Sequence, residues 1–144
     1  MTQRRPLARA LERRVRATAG DRCGYCRSPQ QLVLAPLEIE HIIPLARGGD
    51  DTEANLWLAC PLCNRHKSDK VDAVDPVTGA LVTLFNPREQ VWHEHFRWAD
   101  RGLLIAGLTP CGRATVAALH LSDDPIALAV RRYWILAGWH PPDE

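Results

Sequence analysis

The amino-acid sequence predicts a mixed α+β domain, and three observations point there. Leu7, Leu11 and Val15 recur at helical spacing near the start of the chain. A run of apolar and β-branched residues, 34–45, reads as strand, and a more polar stretch behind it reads as helix. Two Cys-x-x-Cys pairs, Cys23/Cys26 and Cys60/Cys63, bracket that strand and suit one shared metal ion. With 144 residues the chain is sized for one ordinary domain. Its 46% hydrophobic and 24% charged content is that of a soluble globular protein. No apolar run approaches the ~20 residues that a membrane helix needs, so no membrane association is expected. The basic start is not followed by an apolar segment of the secretory type, so the expected location is the cytoplasm.

In chain order, an amphipathic helix is expected over about residues 6–18, with Pro6 near its start and Gly20 as its stop. Residues 21–33 read as irregular, with a tight turn at Cys23–Cys26. The strand-like 34–45 is interrupted by Pro36 and Pro44, and Gly48-Gly49-Asp50-Asp51 marks a loop. Leu56, Trp57 and Leu58 lead into the second cysteine pair, and a helix follows from about Pro61 to Val71. Beyond it, 81–84 reads as strand. Asn86-Pro87 with Glu89 reads as the start of a short helix. Residues 96–105 read as a hairpin around Asp100-Arg101-Gly102. Thr109-Pro110 opens another helix. Asp124-Pro125 opens a last one, with Ile126, Val130, Trp134 and Ala137 on one face and Gly138 at its end. The organisation expected is a basic amphipathic helix (1–20), a core with cysteine knuckles (21–72) and an extension packed on it (73–144).

The net charge is only +1, but its distribution is uneven. Arg4, Arg5, Arg9, Arg13, Arg14, Arg16, Arg22 and Arg27 face only Glu12 and Asp21 in the first 27 residues. Arginine donates paired hydrogen bonds to phosphate. The same run is equally a solvated helix face.

The five cysteines include one, Cys111, without a partner in sequence, which argues against a disulfide framework and reads as a small apolar residue. Cys23, Cys26, Cys60 and Cys63 supply four thiolates for a closed, tetrahedral, structural Zn²⁺ site. Redox chemistry at one pair is the rival reading, and two pairs in one small chain favour zinc. Such a site leaves no open position for catalysis. In a chain of this size its binding energy is folding energy.

Between the knuckles, Glu40-His41 sits inside the apolar run Ile39-Glu40-His41-Ile42-Ile43, and strand alternation puts the two side chains on opposite faces. Glu40-His41, Gly48-Gly49-Asp50, Asn55-Leu56 and Cys60-x-x-Cys63-Asn64-x-x-Lys67 follow in order. This constellation, over residues 21–72, resembles the HNH endonucleases, particularly their four-cysteine members and the HNH domain of RNA-guided CRISPR nucleases. The resemblance implies a ββα-metal (His-Me finger) core and hydrolysis of DNA phosphodiesters to a 5′-phosphate and a 3′-hydroxyl.

Residue by residue, the resemblance implies that His41 is the general base that takes a proton from water. Glu40 and Asn64 are implied ligands of a catalytic divalent ion, Mg²⁺ or Mn²⁺. Asn55 is implied to hold the loop and orient the histidine, and Lys67 to lie near the scissile phosphate. Where the family has its last histidine this chain has Asn64, with His66 flanking it, and Glu40 replaces the commoner aspartate. Arg65, His66, Lys70, Arg13 and Arg14 are the expected DNA contacts, with double-stranded DNA the expected partner. The tryptophan-rich stretch with His93 and His95 reads as packing rather than a base-stacking platform. Two other readings stand beside this one. One is a zinc-stabilised nucleic-acid-binding module without catalysis. The other is a nuclease-like fold with a protein partner bound through the C-terminal part. Glu40, His41, Asn55 and Asn64 discriminate, because a binding module has no need of them together.

Overall fold

The computed structural model describes residues 6–143. Arg4 and Arg5 of the basic run lie outside the described residues. The chain is mixed α+β: helices alternate along the sequence with three separate two-stranded antiparallel sheets among the described residues.

Helix α1 spans Arg9–Thr18, slightly shorter than the sequence predicts. It buries Val15 completely, and Arg16 Nη1 donates to Leu37 O at 2.8 Å, which ties the helix to the next segment. Strand β1 is only Glu38–His41, not the whole of 34–45. Pro36 and Pro44 lie just outside it, and proline, lacking an N–H, cannot extend a ladder. β1 pairs with β2 (Leu56–Ala59), with Glu40 opposite Trp57 and His41 opposite Leu56.

The connection between β1 and β2 turns at Gly48, φ +89°, a left-handed conformation that glycine adopts without cost. At Gly49 a Cβ would lie 1.7 Å from Ile43 O, so the loop folds onto its own start only because no side chain is there. Helix α2 (Pro61–Lys67) follows. Pro61 occupies its first turn and Cys60 Sγ caps it by accepting from Cys63 N at 3.4 Å. It ends at Lys67, short of the predicted Val71, where Ser68 turns to φ +52°.

The rest of the chain comprises β3 (Asp72–Val74), β4 (Leu81–Thr83), α3 (Trp92–His95), β5 (Phe96–Ala99), β6 (Leu104–Gly107), α4 (Pro110–Ala118) and α5 (Pro125–Leu136). The hairpin around Asp100–Gly102 and the helices opened by Thr109 and Asp124 form as the sequence predicts. Both caps bond backbone N–H groups: Thr109 accepts from Gly112 N, and Asp124 from Ile126 N and Ala127 N.

Two expectations are corrected. Asn86-Pro87 opens a turn and not a helix. Asn86 Oδ1 does accept from Arg88 N at 2.9 Å, but Arg88 then sends its guanidinium across to Leu56 O at 2.9 Å, and helix begins only at Trp92. On α5 the predicted apolar face is only partly covered: Trp134 is buried, whereas Ile126 is 62% exposed. Arg131 is the other buried residue of α5, its Nη1 donating to Leu103 O and Leu121 O.

One continuous core runs from Tyr25, Leu37 and Leu58 to Phe85, Trp92 and Phe96. Each such side chain contributes roughly 1.5–3 kcal/mol by leaving water. Trp92 stacks between Phe96 and Trp98 at 5.2 Å from each, so the tryptophans are packing, not a platform. A bidentate ion pair between Arg113 on α4 and Asp75, both contacts at 2.9 Å, holds the β3–β4 turn. The Arg113 guanidinium holds the Asp75 carboxyl well below the usual carboxylate range.

Candidate active site

The knuckles come first because everything else hangs on them. Cys23 N donates to Ser28 O, Arg27 N to Cys23 O, and Gly24 N to Leu58 O on β2, closing the first turn and docking it on the hairpin. A Cβ at Gly24 would sit 2.5 Å from the Trp57 ring, which explains the glycine inside this turn. The second turn runs into α2. Among the described residues, these four buried cysteines alone bring three or more metal-binding side chains together, with all four sulfurs within 4.8 Å of one another. Cys26 Sγ and Cys60 Sγ are 3.7 Å apart, against about 3.8 Å for thiolates on a tetrahedral ion with ~2.3 Å bonds. Ser28 Oγ adds an outer contact to Cys26 Sγ at 3.0 Å. Hydrogen bonds from Cys23 and the other two cysteines push the Cys26 thiol well down, while burial pushes Cys23 up. The donor set and spacing fit a structural Zn²⁺.

Inside the staple, β1 presents alternate residues to two environments. Glu38 and Glu40 face α2. Asn64 Nδ2 donates to Glu38 Oε1 at 2.8 Å, and one turn later Lys67 Nζ meets Glu40 Oε1 at 2.9 Å. Strand residues two apart thus match helix residues three apart. Lys67, expected beside the scissile phosphate, is instead buried, and this is a correction. Its three N–H donors are directed at Glu40, His41 O (3.2 Å) and Ile42 O (3.0 Å), which leaves none for a substrate.

Glu40 is 2% exposed. Tyr25 Oη donates to its Oε1 at 2.5 Å, the oxygen that also meets Lys67. Its other oxygen, Oε2, is buried without a partner. Burial pushes the Glu40 carboxyl up, against the opposing pull of Lys67 and Tyr25. An unsatisfied buried carboxylate oxygen is costly, and Oε2 is left in that state although Lys67 and Tyr25 both meet its neighbour. Asn64 keeps its amide oxygen without a hydrogen-bond donor among the described residues. Glu40 Oε2 and the Asn64 amide oxygen are hard oxygen donors, the type that Mg²⁺ or Mn²⁺ takes, while the Asn64 amide nitrogen is held by Glu38.

His41 points the other way. Its Nε2 is 2.7 Å from Asp51 Oδ1, with side-chain exposures of 19% and 42%. Asn55 builds the loop that carries Asp51. It accepts from Ile43 N (2.8 Å), donates to Ile43 O (3.0 Å) and Asp50 O (2.9 Å), and accepts Ile42 N on its own carbonyl (2.8 Å). These bonds pin both sides of the loop next to His41.

The expected DNA contacts fare unevenly. Arg13, Arg65 and Lys70 are exposed, although Lys70 Nζ caps His66 O at 2.7 Å. Arg14 is exposed and pairs with Glu53 at 2.9 Å, two residues beyond Asp51. His66 is half-buried, and its Nε2 is 2.7 Å from Asp124 Oδ2, so the ring joins α2 to the cap of α5. Sequence reasoning missed Tyr25, Asp51 and Glu38. A hydroxylated aromatic inside a cysteine turn and the second aspartate of the Gly-Gly-Asp-Asp loop were the available signals.

No curated protein and no solved structure matches the chain. Residues 23–70, from the first zinc cysteine past the end of α2, match the family model described as HNH endonuclease. No helix among the described residues is long and apolar enough to cross a membrane. The segment that carries the four cysteines, Glu40, His41 and Asn64, 48 of the chain's 144 residues, is therefore similar to the HNH endonucleases, a family of nucleases.

Proposed function

We propose that this chain is a metal-dependent endonuclease that hydrolyses phosphodiester bonds of double-stranded DNA. The observation that carries this reading is the unpartnered, buried Oε2 of Glu40, one residue from an imidazole held by a carboxylate. A module that only bound DNA would gain nothing from keeping that oxygen unsatisfied.

A carboxylate can only accept, so Asp51 favours the tautomer of His41 with the proton on Nε2. Nδ1 is then the atom left to take a proton from water. The oxygen of that water attacks phosphorus in line with the departing 3′-oxygen. Asp51 also stabilises the imidazolium that forms. A divalent ion held by Glu40 and Asn64, when bound, supplies positive charge to the phosphate oxygens and the leaving 3′-oxygen. Lys67 pulls Glu40 toward its ionised form and directs it, and Asn55 fixes the loop on which Asp51 sits. Arg13, Arg14, Arg65 and Lys70 supply exposed charge for the DNA backbone. The zinc takes no part in the chemistry.

Supercoiled plasmid incubated with purified protein and Mg²⁺ or Mn²⁺ tests this, with EDTA and His41→Ala as controls. Nicking by the wild type, lost in both controls while the variant keeps zinc and fold, is the expected result. DNA binding without cleavage in any common divalent ion would leave the binding-module reading instead.

A further inference from the structure

Tyr25 belongs to the zinc knuckle by sequence and to the carboxylate site by contact. It lies between Cys23 and Cys26, and it is fully buried. Its Oη donates to Glu40 Oε1, 15 residues on, and its carbonyl accepts Trp92 Nε1 at 2.8 Å, from the C-terminal extension. Tyr25 and Lys67 both bind Oε1, and neither binds Oε2. They therefore decide which oxygen of Glu40 is left, and in which rotamer it is held.

We propose that Tyr25 is a positioning residue that couples the zinc knuckle to the catalytic ion by fixing Glu40 so that Oε2 alone is offered as a ligand. Zinc occupancy then sets more than stability. By anchoring Cys23 and Cys26, the zinc anchors the backbone from which the phenol reaches Glu40. Trp92 fixes the same peptide from the other side, so the extension contributes to the ion site without touching it. This inference rests on the reading of Glu40 as an ion ligand. Groups that hold a ligand from behind typically change metal affinity by about 10–100-fold when removed.

The test uses the full chain with zinc bound and titrates Mn²⁺ by electron paramagnetic resonance. It compares wild type, Tyr25→Phe and Glu40→Ala. Phenylalanine keeps the ring and deletes only the hydroxyl. The expected result is one zinc per chain and an unchanged fold in Tyr25→Phe, with Mn²⁺ bound about 10–100-fold more weakly. Plasmid nicking by this variant should recover as Mn²⁺ is raised, so that the metal requirement shifts more than the maximal rate. Glu40→Ala should lose Mn²⁺ altogether. Mn²⁺ affinity unchanged in Tyr25→Phe but lost in Glu40→Ala overturns the role of Tyr25 while leaving Glu40 in place. Mn²⁺ bound normally by Glu40→Ala overturns the underlying reading, and the inference with it. Loss of zinc from Tyr25→Phe makes the phenol a part of the staple only, and also overturns it.

Discussion

Of two consecutive residues on β1, Glu40 is 2% exposed and tied to Lys67 and Tyr25, whereas the side chain of His41 is 19% exposed and tied to Asp51 on a loop. The first is held by partners drawn from α2 and the zinc knuckle, the second by a loop that Asn55 pins. Strand alternation creates the difference, and the surroundings use it. A carboxylate that must keep one geometry is buried, with a buried lysine as counter-charge. In the proposed mechanism the imidazole that must meet water stays at the rim. The dry side should therefore respond to mutation mainly in stability and ion binding, and the wet side mainly in rate.

The largest expected effect breaks both sides at once. Removing zinc, by Cys60→Ser or by a strong chelator, should unfold the hairpin, because structural zinc sites contribute about 10–16 kcal/mol of apparent binding energy. Circular dichroism with a zinc-release dye would show loss of structure in step with loss of metal. Next comes the dry side alone. Lys67→Met leaves the Glu40 charge buried without its partner and should cost about 3–5 kcal/mol in denaturant unfolding. Adding Glu40→Gln should return part of that loss, and no recovery in the double variant would show that the pair is not coupled. His41→Ala isolates the wet side. Its nicking rate should fall about 10²–10⁴-fold while its unfolding midpoint stays close to wild type.

The smallest effect lies farthest from β1. Asp124→Ala removes the α5 cap and the partner of His66, and should cost about 1 kcal/mol at neutral pH. The hydrogen bond from His66, the main cause, and those from Ala127 N and Ile126 N hold the Asp124 carboxyl below its usual value. Its folded-state pKa is thus lower than the unfolded one. The stability it adds is fully present above the unfolded value of ~3.9 and is lost as pH falls through the folded value. The difference between wild type and Asp124→Ala should therefore shrink in unfolding curves taken below about pH 4.

What was legible in the sequence was local chemistry. The cysteine turns, the β1–β2 hairpin, α2 and the caps at Thr109 and Asp124 rest on residues acting within a few positions of themselves. The placement of Glu40 and His41 on opposite faces was also legible, because alternation needs only the strand. What was not legible depends on distant partners. Lys67 reads as an exposed basic residue until β1 brings Glu40 over it, 27 positions back. The partner of His66, Asp124, lies 58 positions on and has no local signal. Arg88 reads as an early helix residue until Leu56 O claims its guanidinium. On α5, Trp134 and the unpredicted Arg131 are buried while Ile126 stays exposed, since the surface that meets the helix, not its periodicity alone, chooses the face.

The hydrogen bond from Trp92 to Tyr25 spans 67 positions and has a consequence for how the chain is made. During synthesis the four cysteines and α2 leave the ribosome well before Trp92, so metal capture can precede the arrival of the tryptophan. A chain cut before residue 92 would therefore keep all four cysteines but lack the indole that holds the Tyr25 peptide.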